Sequence, residues 1–221
     1  MVEEKKTEDI PEPEPWYRSP LKYIIMVFLL LLIVMWYFPK ESIKLDPEPA
    51  KIPTIDEVLP PGLMSGNQSK KIIHKNDYYN SIQPDDPTIK QIAGKIAAIS
   101  CDGNQVCQAK AVYYFVRDNF DYVKDPYNKE YIETPLESLF SGSMDCDGHA
   151  VLLGTLEESI GIEAQLVFIP SHAFVRVYLP EALKRYRKGS WIYLDATCKD
   201  CVFGELPLQD KDKRETYLDI T

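Results

Sequence analysis

Apolar and polar positions are unevenly distributed along the chain. Residues 23–38 read YIIMVFLLLLIVMWYF, an apolar run with no charge in it. As a helix this run covers about 24 Å, slightly under the roughly 30 Å of a bilayer core. Leu21 and a snorkelling Lys22 extend it. Trp16, Tyr17 and Tyr23 on one side, and Trp36 and Tyr37 on the other, are placed like interfacial aromatic belts. A buried core helix would show a polar face, and this run has none. A cleaved signal peptide would end in a small-residue site, which WYFPKESIKL does not offer. The pattern predicts one retained transmembrane helix over residues 21–38.

Around that run the patterning is weak. Residues 1–20 are acidic and Pro-rich, predicting a disordered tail. Residues 39–83 begin with Pro39, Pro47, Pro49, Pro53, Pro60 and Pro61, predicting an extended, semi-rigid linker. Periodicity returns over residues 84–221, the expected folded domain. There Asp86 can cap a helix that opens on Pro87 and carries Ile89, Ile92, Ala93, Ile96 and Ile99 as one apolar stripe. A second helix is expected over about Gln105–Asn119, and a short one at PLESLF. SGSMDCDGHAVLLGTLEESIGIEAQ reads as a loop, a cap at Asp145, a helix and a terminating Gly161. Three strand-like runs follow, AQLVFI, AFVRVYL and WIYLDA, with a basic loop, KRYRKGS, before the third. Helices followed by strands predict an α+β fold, with helices packed on an antiparallel sheet.

Composition narrows the function. The chain has 221 residues and a formal charge of −9. That charge argues against a nucleic-acid partner, since phosphate recognition wants clustered Lys and Arg.

The candidate chemistry lies in three places. Cys146 occupies the first turn of its helix, where a thiolate would face unsatisfied backbone N–H groups and the positive end of the helix dipole. His172 opens a strand after Pro170-Ser171 and can serve as general base and then general acid. Asp195 ends the next strand, close to His172 if the two strands pair, and can orient the imidazole. Taken singly, each residue has an ordinary structural explanation. The order of nucleophile on a helix, base on a strand and orienter on the next strand favours a catalytic triad.

The blocks MDCDGHAVLLGTLEESIGIEAQLVF, SHAFVRVYL and WIYLDAT resemble the three motif blocks of the transglutaminase-like superfamily, over roughly residues 84–206. The resemblance implies a papain-like core, with Cys146 as nucleophile, His172 as base and Asp195 as orienter. VFGELP also resembles a segment of membrane-tethered archaeal members. Two departures stand out: Met144 where the family often has Gly, and Gly148 where it often has Asp. His149 is expected in a packing or supporting role. The Cys146 backbone N–H is the default oxyanion donor, and Tyr122 in NFDYV is a candidate side-chain donor.

The remaining cysteines are Cys101, Cys107, Cys198 and Cys201. Local disulfides, a zinc site and unpaired thiols all remain open at this stage, although the ligand spacing is a weak zinc signal. Disulfides would place the domain in an oxidising compartment, which favours an N-terminus inside and residues 39–221 outside the cell membrane. The expectation is a membrane-anchored acyl-transfer enzyme acting on peptide or protein amides through a thioester, with neither cofactor nor metal. The alternative is an inactive membrane-tethered binding module of the same fold.

Overall fold

The computed structural model describes residues 20–60, 78–126 and 131–220. Apart from Pro20, the expected tail over residues 1–20 lies outside them, as does the linker stretch 61–77. The chain divides into two compact units, Met1–Lys44 and Leu45–Thr221. The first holds most of helix α1, Leu21–Leu45. Its stretch Leu21–Phe38, with a mean hydropathy of 2.4, is long and apolar enough to cross a membrane.

The second unit runs in the order α2 (Ile55–Val58), α3 (Tyr78–Ser81), α4 (Pro87–Ser100), α5 (Gln105–Asn119), β1 (Asp121–Tyr122), α6 (Pro135–Ser141), β2 (Ser143–Met144) and α7 (Cys146–Ser159). Strands β3 (Ala164–Ile169), β4 (His172–Tyr178), β5 (Arg187–Lys188) and β6 (Trp191–Leu194) follow, then a 3-10 turn (Leu208–Asp210) and β7 (Thr216–Asp219). The later strands form a five-stranded sheet ordered β5-β6-β4-β3-β7, antiparallel throughout. Strands β1 and β2 pair in parallel apart from it. This is the expected α+β architecture, with helices packed on an antiparallel sheet.

The helix ends follow local chemistry. Asp86 accepts from the Thr88 and Ile89 N–H groups at 2.8 and 3.1 Å, with Pro87 in the first position of α4. Asn104 caps α5, and Thr134 caps α6 ahead of Pro135. Gly161, at φ +81°, takes the left-handed conformation just beyond α7 that a side chain would resist.

Helix α7 is the centre of the domain. It packs on β3 and β4 and is flanked by α4, α5 and α6. Val151, Leu152, Leu153 and Leu156 are all buried. At Gly154 the helix lies so close to the sheet that a Cβ would strike Ile220 Cδ1 and come within 3.4 Å of Leu166 Cδ2. Along β4, Ala173, Val175 and Val177 face this core. Phe174, on the other face, packs with Val167, Ile169 and Tyr193.

The linker expected over residues 39–83 differs where it is described. Helix α1 continues to Leu45, and the residues beyond it lie on the domain. Val58 is fully buried, the Ala50 N–H donates to the Ser100 carbonyl, and Asn119 donates to the Pro53 carbonyl. Lys110 on α5, with no exposure, ion-pairs at 2.6 Å with both Asp46 and Glu48. A buried ammonium needs such partners, so this stretch completes the domain where Pro content alone suggested a spacer.

Candidate active site

Cys146, His172 and Asp195 come together through three separate devices. Asp145 caps α7, accepting from the Asp147 N–H at 2.9 Å and the Gly148 N–H at 3.1 Å, while its carbonyl takes the His149 N–H. The Cys146 N–H is the first-turn donor that Asp145 does not use. Among the described residues the thiol is the only free cysteine, and it is partly exposed. His172 is held by the β3–β4 hairpin, in which Ile169 pairs with His172 across Pro170-Ser171. Ser171 sits at φ +65°, an unusual setting for a residue with a side chain. Asp195 follows Leu194, which pairs with Val175 in the β4–β6 register. That register makes His172 and Asp195 diagonal cross-strand neighbours.

His172 Nε2 lies 2.9 Å from Asp195 Oδ2. The other Asp195 oxygen accepts from the Thr197 N–H at 3.0 Å and the Thr197 hydroxyl at 2.7 Å. The Asp195 side chain is 1% exposed. Burial opposes its ionisation, but the bonds from His172 and Thr197 outweigh it and hold the carboxyl below its usual range. Burial likewise opposes charge on His172, yet its bonds to Asp195 and Cys146 raise the imidazole to about 10. With Nε2 committed to Asp195, Nδ1 is the ring nitrogen available to the thiol.

Tyr122 stands over the thiol from β1. Burial first, and then the charges of Cys146, Asp145 and Asp147, push its phenol up to about 12. It therefore remains a donor across the physiological range. His149 is buried, with Nδ1 2.7 Å from the Asp145 carbonyl and its ring beside Tyr122. Burial lowers its basicity, so the ring is neutral with the Nδ1 proton on Asp145. This is the supporting role expected of it. Tyr78 donates to Asp147 at 2.7 Å, bracing the residue after the thiol.

The two departures from the family pattern explain each other. A Cβ on Gly148 would lie 2.7 Å from Met144 Cβ and 2.7 Å from Glu133 Oε2. The carboxylate can swing away, but the Met144 Cβ is fixed to the backbone. Met144 thus fills the space that a side chain at 148 would need, while the His172–Asp195 pair stays intact.

A cleft of about 510 Å³ runs past His172 and Asp195, lined also by Tyr122, Thr197, Gln209 and Lys213. Asp210 joins it from the 3-10 turn, paired with Lys213 at 2.8 Å. Donor atoms of His172, Asp195 and Asp210 lie within 4.8 Å of one another, a spacing a metal ion could use. Each of the three already has an internal partner, and the donor set is balanced as ion pairs. Sequence reasoning passed over Thr197, Gln209, Asp210 and Lys213. Only Thr197 carried a signal, since an Asp side chain commonly accepts from the N–H two residues on. The other cysteines are bonded as Cys101–Cys107 and Cys198–Cys201, the local pairing among the alternatives.

Residues 90–196 match the family model of the transglutaminase-like superfamily. Over those residues the chain is similar to that superfamily. Among solved structures, it is similar to a candidate cysteine protease from Cytophaga hutchinsonii, at 15% identity and a TM-score of 0.40, covering 65% of this chain and 47% of that one. It thus spans about half the length of that protein. It is also similar to calcium-bound LapG of Legionella pneumophila, at 17% identity and a TM-score of 0.42, covering 63% of this chain and 78% of that one. No curated protein matches the chain.

Two outcomes follow from this geometry. Gly148→Ala destabilises the domain by about 1–3 kcal/mol through overpacking. Adding Met144→Gly recovers part of that loss, a coupling of about 1 kcal/mol in thermal unfolding; strictly additive losses would refute the contact. The second concerns proton occupancy. Because the folded value of His172 lies above the ordinary one, its stabilising contribution is complete below about pH 6.5 and disappears as pH rises through about 10. NMR of the ring should show it protonated at neutral pH, with Asp195→Asn moving the midpoint down. A wild-type midpoint at the ordinary histidine value would contradict the ion-pair geometry.

Proposed function

We propose that this chain is a membrane-anchored cysteine amidohydrolase of peptide or protein substrates, with Cys146, His172 and Asp195 as its triad. The observation that carries the reading is the placement of His172 between a buried, doubly supported Asp195 and the one free thiol, at the mouth of an open cleft.

The Cys146 thiolate attacks the carbonyl carbon of an amide, and the C=O electron pair becomes an oxyanion. The Cys146 N–H and the Tyr122 hydroxyl are the donors proposed to receive it. His172 gives its proton to the amide nitrogen, the C–N bond breaks, and an amine leaves a thioester on Cys146. Neutral His172 then takes a proton from water, whose oxygen displaces the thiol and releases a carboxylic acid. Asp195 remains ionised and stabilises the imidazolium in both halves. The partial exposure of Cys146 and the 42% exposure of Tyr122 leave solvent access to the thioester, which supports water over an amine as acceptor. No specific feature favours the inactive binding module, because the Met144 and Gly148 departures compensate one another.

The membrane reading rests on Leu21–Phe38. An extracytoplasmic domain is proposed because Cys101–Cys107 and Cys198–Cys201 are disulfides, which persist in oxidising compartments.

Iodoacetamide should alkylate Cys146 faster in the native than in the denatured protein, and His172→Ala should slow it. Equal rates in both states would remove the activated thiol. Tyr122→Phe should lower turnover of a peptide amide about 10²-fold without slowing alkylation, a reaction that forms no oxyanion. Unchanged turnover would remove Tyr122 from the mechanism, and release of a transamidated product with added amine would reassign the acceptor. For topology, protease added to intact cells should remove the domain and leave an anchored stub. Complete protection until lysis would reverse the orientation.

A further inference from the structure

The basic loop KRYRKGS has no part in the chemistry above. It forms β5 and its approach, and it lines a separate cleft of about 350 Å³. Arg185, Arg187, Lys188 and Lys211 line that cleft against a single carboxylate, Glu215. Lys184 is exposed alongside. Arg185 pairs with Asp46, and Arg185 and Lys211 also line an adjoining cleft with Glu48 and Glu205, so the least compensated cations are Lys184, Arg187 and Lys188. The loop is also held in shape. Arg187 donates to the Ala182 carbonyl at 2.8 Å and the Gly189 carbonyl at 2.7 Å, leaving its positive charge unneutralised by any carboxylate in those bonds. Lys188 reaches Glu215 only at 4.0 Å, and its side chain is 75% exposed.

The loop is tied to the point where the chain leaves the apolar helix. Asp46 pairs with Arg185 and accepts from the Tyr186 hydroxyl at 2.8 Å. Asp46 is the residue after the end of α1 and lies close in sequence to Phe38, the last residue of the apolar stretch. Even fully extended, the chain from Phe38 to Asp46 spans no more than about 28 Å. A cationic cluster fixed to Asp46 is therefore confined to the neighbourhood of the surface in which the helix is anchored. Screening limits attraction to about a Debye length, roughly 8–10 Å at physiological salt, and the tether keeps the cluster within a few such lengths, so that attraction can capture it on approach.

We propose that Lys184, Arg187, Lys188 and Lys211 form a docking surface for the phosphate-bearing headgroups of anionic lipids, which seats the domain against its own membrane. The proposal rests on the reading of Leu21–Phe38 as a membrane span. Docking would restrict the thiol to amides presented close to the bilayer, so the substrate class becomes membrane-proximal protein.

The full chain is reconstituted into nanodiscs of phosphatidylcholine, alone or mixed with phosphatidylglycerol. Lysines are acetylated with a water-soluble reagent and quantified individually by mass spectrometry. Lys184, Lys188 and Lys211 should react several-fold more slowly in the anionic discs, with recovery at high salt, while Lys90 and Lys124 stay unchanged. Glycerol phosphate added to the phosphatidylcholine discs should give no protection. Equal lysine reactivity in the two kinds of disc would overturn the docking surface while leaving the membrane span intact. Equal protection by soluble glycerol phosphate would overturn it in favour of a small-anion site. A chain that does not co-elute with either disc would overturn the membrane span and the docking surface together.

Discussion

The seating of α7 against β3 and β4 governs the rest of the domain. Gly154 lets the helix approach the sheet, and Leu152, Leu153 and Leu156 bury its sides. This contact fixes the height of the α7 N-terminus relative to the strands. Cys146 stands at that N-terminus, and His172 opens a strand that the helix covers. A thiol on a helix end and an imidazole on a strand end can meet only if helix and sheet are packed rigidly, since close-packed interiors do not slide. The site is in this sense a consequence of core packing.

Its electrostatics set burial against pairing. Burial alone would neutralise both His172 and Asp195, yet each is displaced towards its charged form. Mutual hydrogen bonding, with Thr197 behind Asp195 and Cys146 ahead of His172, outweighs the desolvation of both. Where such partners are missing, burial wins. Glu157, buried in the same helix with no hydrogen-bond partner, is pushed well above the usual carboxylate range. The contrast within α7 and its neighbours identifies pairing as what keeps the catalytic candidates charged.

The domain also begins earlier in the chain than its patterned segment. Lys110 has no exposure on α5 and would be an uncompensated buried charge without Asp46 and Glu48. Those acids come from the Pro-rich stretch, which is drawn onto the domain as a result. One consequence is that Arg185 and Tyr186, which share Asp46, are tied to that stretch.

Features decided by near neighbours in the chain were legible in the sequence. The apolar helix, the caps at Asp86 and Asp145, the terminating Gly161 and the three main strands each depend on residues within a turn or two. Strand alternation and the expected pairing also pointed to His172 beside Asp195. The parallel β1–β2 pair, edge strand β7 and short β5 carried too few residues to leave a period. Other features joined residues far apart in sequence. Lys110 with Asp46, Asp210 with the His172 cleft, and Met144 against Gly148 depend on which surfaces tertiary packing brings together. The choice of disulfides over zinc likewise depended on how closely the two thiols within each pair approach, which sequence spacing could not give. The sequence by itself determined the elements and the reactive groups they carry, because hydrogen-bonding and side-chain periodicity are local. Only the tertiary structure decided which charges are buried together, because desolvation depends on everything packed around a group.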